Sequence, residues 1–287
     1  MPHEVKEMEG KFVVSTSVIL KSQSVESTML LPLWGRAIYS RKDPAILDDQ
    51  DAIRLIEKCD YDFAPVAKTF GEFSGLTYIA RARRFDDAIR NYLIKHPRAT
   101  VVNIGAGLDT AFSRVDNGLT NYYNLDLPAA IAYRKSLIED TPRNTCIAKD
   151  FLDPSWFDDI IFNIEDGIVF ISAGVFYYFK EEQLKTIVSA MARRFPGGEL
   201  YFDAESKFAV KGSNRMVEKS GNKGAMMHFW VNNNEQLERW SPKIRVSSQS
   251  LLKGINMNES WGIGTRLAFR TCNCIKFMKL MCLKFVR

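Results

Sequence analysis

Apolar and polar positions change their rhythm near residue 98. Before it, apolar residues recur at intervals of three and four. In DPAILDDQDAIRLIEKC (43–59), Ala45, Ile46, Ala52, Ile53, Leu55 and Ile56 fall near that spacing, and Asp43 before Pro44 supplies a start signal, so a helix is predicted there. In GLTYIARARRFDDAIRNYLIKHP (75–97), Leu76, Ile79, Ala82, Phe85, Ala88, Ile89, Tyr92 and Leu93 continue the pattern until His96 and Pro97 end it. Residues 1–97 read as a helical N-terminal region.

Beyond that point short apolar runs alternate with helical stretches. ATVVNIG (99–105), TNYYNLDL (120–127), NTCIAKD (144–150), GIVFISAG (167–174) and GELYFDAES (198–206) read as strands. Between them TAFSRV (110–115), PAAIAYRKSLIED (128–140) and KEEQLKTIVSAMARRF (180–195) read as helices. Strands separated by helices specify a mainly parallel sheet covered on both faces. A Rossmann-like α/β core is therefore expected over 98–206. Residues 207–260, including MMHFWVNNNEQLERW (226–240), look irregular and partly helical and are expected to cap the strand ends. Residues 261–287 are expected to add a helix and a last core strand, with the lysines of CIKFMKLMCLKFVR (274–287) at its wet edge. A membrane-surface helix is the alternative use of that tail. The whole, 1–287, reads as a single domain.

Composition narrows the picture modestly. With 46% hydrophobic and 25% charged residues, the chain is neither fibrous nor mainly disordered. No apolar run approaches the roughly 18–20 residues that span a bilayer. The opening MPHEVKEMEG lacks the apolar core of a secretory signal, so a cytoplasmic location with no membrane partner is expected. Five cysteines with a lone CxC at Cys272 and Cys274 read as free thiols, and no metal is expected. The net charge of +5 suits an anionic small substrate or weak RNA contact without choosing between them.

The chemistry starts at VVNIGAGLDT (101–110), where a strand runs into Gly105, Ala106 and Gly107. In an open α/β sheet ligands bind outside the carboxyl ends of the strands. Asp126 ends the next strand 21 positions after Gly105, where a carboxylate can accept both ribose hydroxyls. Asp150 ends the third, within reach of an adenine amine. Together these positions predict an adenosine site. A dinucleotide would set its pyrophosphate on the following helix N-terminus. The third fingerprint glycine is absent, and Asp109 stands at that spot. A carboxylate ~4–5 Å from a phosphate would cost about 3–4 kcal/mol at an effective dielectric near 20. S-adenosylmethionine instead carries a sulfonium and an ammonium, which favour acids. Asp109 or Thr110 can also cap the helix that follows.

RARRFDDAI (81–89), VVNIGAGLDTAFSR (101–114), NLDLP (124–128), AKDF (148–151), SAGVFYYF (172–179) and PGGELYFD (196–203) resemble, in order, the leucine carboxyl methyltransferase family. They resemble more closely its bacterial branch of polyketide, tetracenomycin-type O-methyltransferases, over roughly residues 28–205. The resemblance implies a class I S-adenosylmethionine-dependent methyltransferase with an added N-terminal helical region, releasing S-adenosylhomocysteine. It places Arg81 on the cofactor carboxylate, Gly105, Ala106 and Gly107 under the methionine part with Asp109, Asp126 with Leu127 at the ribose, and Asp150 with Phe151 at the adenine. Ala173 lies beside them. Two departures stand out: Ala111 replaces a common arginine, and Ser172-Ala173-Gly174 replaces Ala-Glu-Gly. The missing carboxylate argues against methylation of a protein C-terminus.

The implied reaction moves a methyl group to a hydroxyl or carboxylate oxygen of a small-molecule acceptor. A phenol needs help in ionising; a carboxylate does not. Among the histidines, His3 lies near the N-terminus and His96 ends a helix, so His228 in the cap is the candidate base. Tyr177 and Tyr178 are expected on the acceptor side, joined by Trp34 and Arg36. No Asn/Asp-Pro-Pro-aromatic run or Pro-Cys pair is present, which disfavours nucleic acid as acceptor. The alternatives are an S-adenosylmethionine-binding protein without catalysis and an NAD-dependent oxidoreductase.

Overall fold

A computed structural model describes residues 26–220 and 226–287. Its centre is a seven-stranded sheet in the order β3-β2-β1-β4-β5-β7-β6. The strands are β1 (Thr100–Ile104), β2 (Asn121–Asp126), β3 (Asn144–Ala148), β4 (Ile168–Ser172), β5 (Glu199–Glu205), β6 (Ile244–Ser250) and β7 (Met278–Phe285). The first five pair in parallel, while β7 runs antiparallel to both β5 and β6. The strand order reverses between β1 and β4, the switch point at which such sheets bind ligands.

β4 shows why these residues make a central strand. Every residue from Ile168 to Ser172 is buried. Ile168 and Phe170 join one core with Trp156, Phe195 and Phe202. Val169 and Ile171 join another with Ile79, Ile89 and Val101. Alternate side chains feed opposite faces, so a strand covered on both sides reads as one continuous apolar run.

Among the described residues three α-helices precede the sheet: α1 (Leu30–Lys42), α2 (Gln50–Lys58) and α3 (Ala64–Lys95), the last interrupted at Gly71 with φ of 63°. The helix expected over 43–59 begins only at Gln50. Asp49 caps it, accepting from the Ala52 amide at 3.0 Å. Asp43 instead ends α1 and accepts from Trp261 Nε1 at 2.9 Å. Asp49 stands six residues after Asp43, and being the acid beside the amphipathic run it sets the boundary.

Between the strands lie α4 (Ala111–Val115), α5 (Pro128–Leu137) and α6 (Glu181–Arg194). After β5 come α7 (Lys207–Ser220) and α8 (Asn234–Glu238), with α9 (Ile263–Cys274) before β7. The region expected to be an irregular cap therefore contains a sheet strand, β6. IRVSSQS conceals it because an edge strand pairs on one side only and keeps polar residues where it meets water. The alternative of a membrane-surface helix for 274–287 is overturned: β7 lies between β5 and β6, and Leu280, Met281 and Leu283 are buried. Among the described residues no helix is long and apolar enough to cross a membrane.

Candidate cofactor and acceptor site

β1 delivers the chain to Gly105 with φ of 67°, a left-handed conformation that side chains resist. A Cβ there would fall 2.3 Å from Val175 Cγ2. The turn is fastened to β2: the Gly105 amide donates to Leu125 O at 2.7 Å, and the Gly107 amide to Asp126 Oδ2 at 2.7 Å. The other oxygen, Asp126 Oδ1, accepts from the Leu127 amide at 2.7 Å. Glycine turn and strand-end acid are therefore one unit.

The turn's carbonyls face inward onto guanidinium groups. Arg134 donates to Gly107 O at 2.9 Å and Asp109 O at 2.7 Å, and Arg36 to Leu108 O at 2.8 Å. Behind them lies a buried charge network. Arg114 grips Asp86 in a bidentate pair at 2.7 and 3.0 Å and reaches Asp49 at 2.7 Å. Asp49 also pairs with Arg36 at 2.9 Å and accepts from Thr110 Oγ1 at 2.7 Å. The N-terminal helices are bolted to the underside of the turn by ions rather than by apolar contact alone.

Asp109 belongs to this network. Its Oδ1 accepts from the Thr110 and Ala111 amides at 2.7 and 3.1 Å, and its Oδ2 from Asn103 at 2.9 Å. Arg114 stands 3.5 Å away. Burial alone would raise its pKa, but Arg36 and Arg114 outweigh that and hold it below the usual carboxylate range. The cap is the geometry observed, and the nearby arginines offset the repulsion of a phosphate expected from the sequence. Asp109 therefore discriminates between cofactors less than its isolated charge implied.

A second cluster forms where β4 and β5 end. Asp203, buried on β5, accepts from the Gly174 amide at 2.6 Å, Tyr177 Oη at 3.1 Å and Arg81 Nη1 at 3.3 Å. Arg81, on α3, lies over the Tyr78 ring at 5.3 Å. A Cβ on Gly174 would sit 2.7 Å from Arg81 Nη1, so only glycine lets the guanidinium come this close. Burial opposes the charge on Arg81, and Asp203 more than restores it. Tyr178 is half-buried and hydrogen-bonds Thr28. Sequence reasoning missed Asp203; its signal was a single acid in the apolar run LYFDA.

The remaining expected residues divide. Ala173 is half-buried and Ala106 buried, both at strand ends beside the clusters. Asp150 is exposed just past β3, its Oδ1 accepting from the Leu152 amide at 2.9 Å. Phe151 is buried and stacks on Phe176 at 5.5 Å. Tyr177 is buried with its hydroxyl committed to Asp203, and burial with that acid lifts its pKa well above 10. Trp34 packs edge-on against Tyr39, and Arg36 sits in the ion network under the turn. Both are buried in helix packing, so the structure does not bring them to an open acceptor face. His228 has an exposed side chain, while its amide donates to Tyr177 O at 2.6 Å. His96 stacks on Tyr92 at the amino end of β1, away from the turn. His3 lies outside the described residues. A cleft of about 470 Å³ opens elsewhere, between residues 44–54, α3 and α4, and is lined by arginines and acids.

This arrangement of sheet, glycine turn and strand-end acids is that of a class I methyltransferase core. The chain belongs to the leucine carboxyl methyltransferase family, which it matches over residues 30–192. It is 25% identical over 231 residues to the tetracenomycin polyketide synthesis O-methyltransferase TcmP of Streptomyces glaucescens, covering 80% of this chain and 84% of TcmP. A DUF574 family protein from Streptomyces avermitilis shares the fold with a TM-score of 0.56 at 12% identity, over 88% of this chain and 97% of that one. The chain is an S-adenosylmethionine-dependent O-methyltransferase. That membership favours neither an oxidoreductase nor a silent binding protein.

Proposed function

We propose that the chain methylates an oxygen of a small organic acceptor, with the cofactor lying across the carboxyl ends of β1, β2 and β4. The observation that carries this reading is the pairing of two built clusters: the Gly107–Asp126 unit at one end and the Arg81–Asp203–Gly174 unit at the other. Their donor chemistry fits S-adenosylmethionine. In this reading Arg81 holds the cofactor carboxylate, and Gly105, Ala106 and Gly107 form the floor beneath its methionine part. Asp126, followed by Leu127, receives the ribose hydroxyls. Asp150 meets the adenine amine, and Phe151 backs it from the core. The cofactor supplies a methyl group already activated on a sulfonium. The protein's part is to align the acceptor oxygen and exclude water.

Tyr177 and Tyr178 border the acceptor side. A polyketide-like acceptor is supported by the similarity to TcmP and by the aromatic residues around Arg81. A cytoplasmic setting belongs to the same proposal, because five unpaired cysteines suit a reducing compartment. The test is a calorimetric titration with S-adenosylmethionine, S-adenosylhomocysteine and NADH. Both S-adenosyl ligands bind, and Asp126→Ala weakens them by about 2–3 kcal/mol, the scale of lost charged hydrogen bonds. Unchanged affinity in a folded variant would show the ribose to be elsewhere.

A further inference from the structure

The cluster at the ends of β4 and β5 includes a carboxyl, Glu205, to which the proposed function gives no part. Glu205 is the final residue of β5, two positions beyond Asp203, so the two carboxylates leave the strand on the same face. That is the face on which Asp203 meets Arg81. Glu205 is half-buried, and its Oε2 accepts from Ser213 Oγ on α7 at 3.3 Å. Its carbonyl accepts from the Val231 amide at 3.0 Å.

The titratable and hydrogen-bonding groups facing it come from several elements around it. They are Asp203 on its own strand, Arg81 and Tyr78 on α3, Tyr177 after β4, Ser213 on α7 and Cys272 on α9. Burial pushes the Glu205 carboxyl up to about 7, Asp203 adds in the same direction, and Ser213 and Arg81 offset them only in part. A carboxyl in that range is divided between its two protonation states at neutral pH. His228 borders the same region, but its side chain is exposed.

We propose that Glu205 is the general base of the reaction and that the acceptor is a neutral hydroxyl, a phenol or enol, rather than a carboxylate. The proposal rests on the methyltransferase reading and on Arg81 marking the cofactor end of the cluster. Arg81 is already engaged by Asp203, leaving Glu205 as the acid of the cluster without an ion pair among the described residues. An anionic acceptor would be repelled there, whereas a hydroxyl can donate its proton. A phenol with pKa near ~10 is ionised only about one part in 10³ at pH 7. A base whose own pKa lies near the working pH combines the right protonation state with driving force for proton transfer. In the balanced step the acceptor O–H bond breaks and its proton passes to a Glu205 oxygen. The freed electron pair forms the O–CH3 bond as the S–CH3 bond breaks, leaving its pair on sulfur. Glu205 then releases the proton to water.

The test compares the wild type with Glu205→Gln and Glu205→Asp, each first checked for S-adenosylhomocysteine binding by calorimetry. The acceptors are naphthols, a nitrophenol already ionised at pH 7, and naphthoic acids. Glu205→Gln is expected to bind S-adenosylhomocysteine within about two-fold of wild type, yet methylate naphthols ~10²–10⁴-fold more slowly. The nitrophenol is expected to lose far less, and Glu205→Asp to recover part of the naphthol rate. A second measurement needs no turnover: a carboxyl carbon resonance absent from Glu205→Gln is expected to titrate near 7 in the S-adenosylhomocysteine complex. Equal naphthol rates, wild-type transfer confined to naphthoic acids, or a titration near the ordinary ~4.3 would each overturn the role of Glu205 and leave the methyltransferase reading standing. Failure of wild type to bind either S-adenosyl ligand would overturn that reading itself. The titration can overturn the role of Glu205 whichever probes are accepted.

Discussion

Asp49 is the residue whose removal should reveal how the N-terminal helices hold the glycine turn. Its side chain is fully buried, and four groups donate to it: Arg36 at 2.9 Å, Arg114 at 2.7 Å, Thr110 at 2.7 Å and the Ala52 amide at 3.0 Å. In Asp49→Ala, Arg114 keeps its bidentate pair with Asp86. Arg36 keeps the Leu108 carbonyl and the attraction of Asp109 but loses its direct ion pair while remaining buried. Removing one partner of a buried pair typically costs about 3–5 kcal/mol, and the lost helix cap contributes toward about 1 more. Because one carboxylate supplies both, the total is set at about 4–5 kcal/mol rather than their full sum. At roughly 2–4 °C per kcal/mol for a chain of this size, the melting temperature should fall by about 8–20 °C. Asp49→Asn, which keeps the cap but not the charge, should fall by somewhat less. Thermal unfolding with and without S-adenosylhomocysteine provides the assay. Affinity should also drop several-fold, since Arg36 holds Leu108 O in the turn. Burial alone would raise the pKa of Asp49, but Arg114 and Arg36 outweigh it and hold it low. Its contribution is therefore present above the unfolded carboxylate pKa and fades as pH falls through the lower folded value. The wild-type advantage should narrow below about pH 4. A loss under about 2 °C for both variants at pH 7 would refute the claim that these ions fasten the helices to the turn.

Two other outcomes follow from the β4–β5 cluster. Gly174→Ala places a side chain at φ of 77° and 2.7 Å from Arg81 Nη1, so it should cost about 1–2 kcal/mol of stability and weaken S-adenosylhomocysteine binding about ten-fold or more. Intact affinity in calorimetry would place the ligand away from Arg81. Glu205→Gln should be more stable than wild type at pH 8, by up to about 3 kcal/mol. Its carboxyl binds a proton more tightly folded, with pKa near 7, than unfolded at 4.5, so wild-type stability declines as pH rises through that window. Urea titrations at pH 5 and pH 8 check this; an advantage independent of pH would contradict it.

Much of the core was legible because β1 and β4 are buried on both faces and appear as unbroken apolar runs. Gly105 and Asp126 were visible for a related reason: both stand where such a run stops. Asp203 and Glu205 were not. Their meaning depends on Arg81, 122 residues from Asp203 along the chain, and on β5 lying beside β4, which no local pattern encodes. The capping role of Asp109 was legible, but the convergence of Arg36, Arg114 and Arg134 on it from three different helices was not, because it is not local in the chain. Arg36 and Trp34 were expected at the acceptor for want of the helix packing that buries them. β6 escaped notice because an edge strand need not be apolar.

The antiparallel placement of β7 between β5 and β6 also bears on how the molecule is made. During synthesis β6 emerges before β7, and in the finished sheet β7 is the strand to which it is bonded. Until β7 arrives, the growing chain carries an open β5 edge and an unpartnered β6, each a template for pairing with another nascent chain. The parallel half, from β1 to β5, needs nothing that follows it to complete its own hydrogen-bond ladder. Assembly should therefore proceed in two stages. The interval between them is when a chaperone, or a bound cofactor that consolidates the first half, would most affect the yield of folded enzyme.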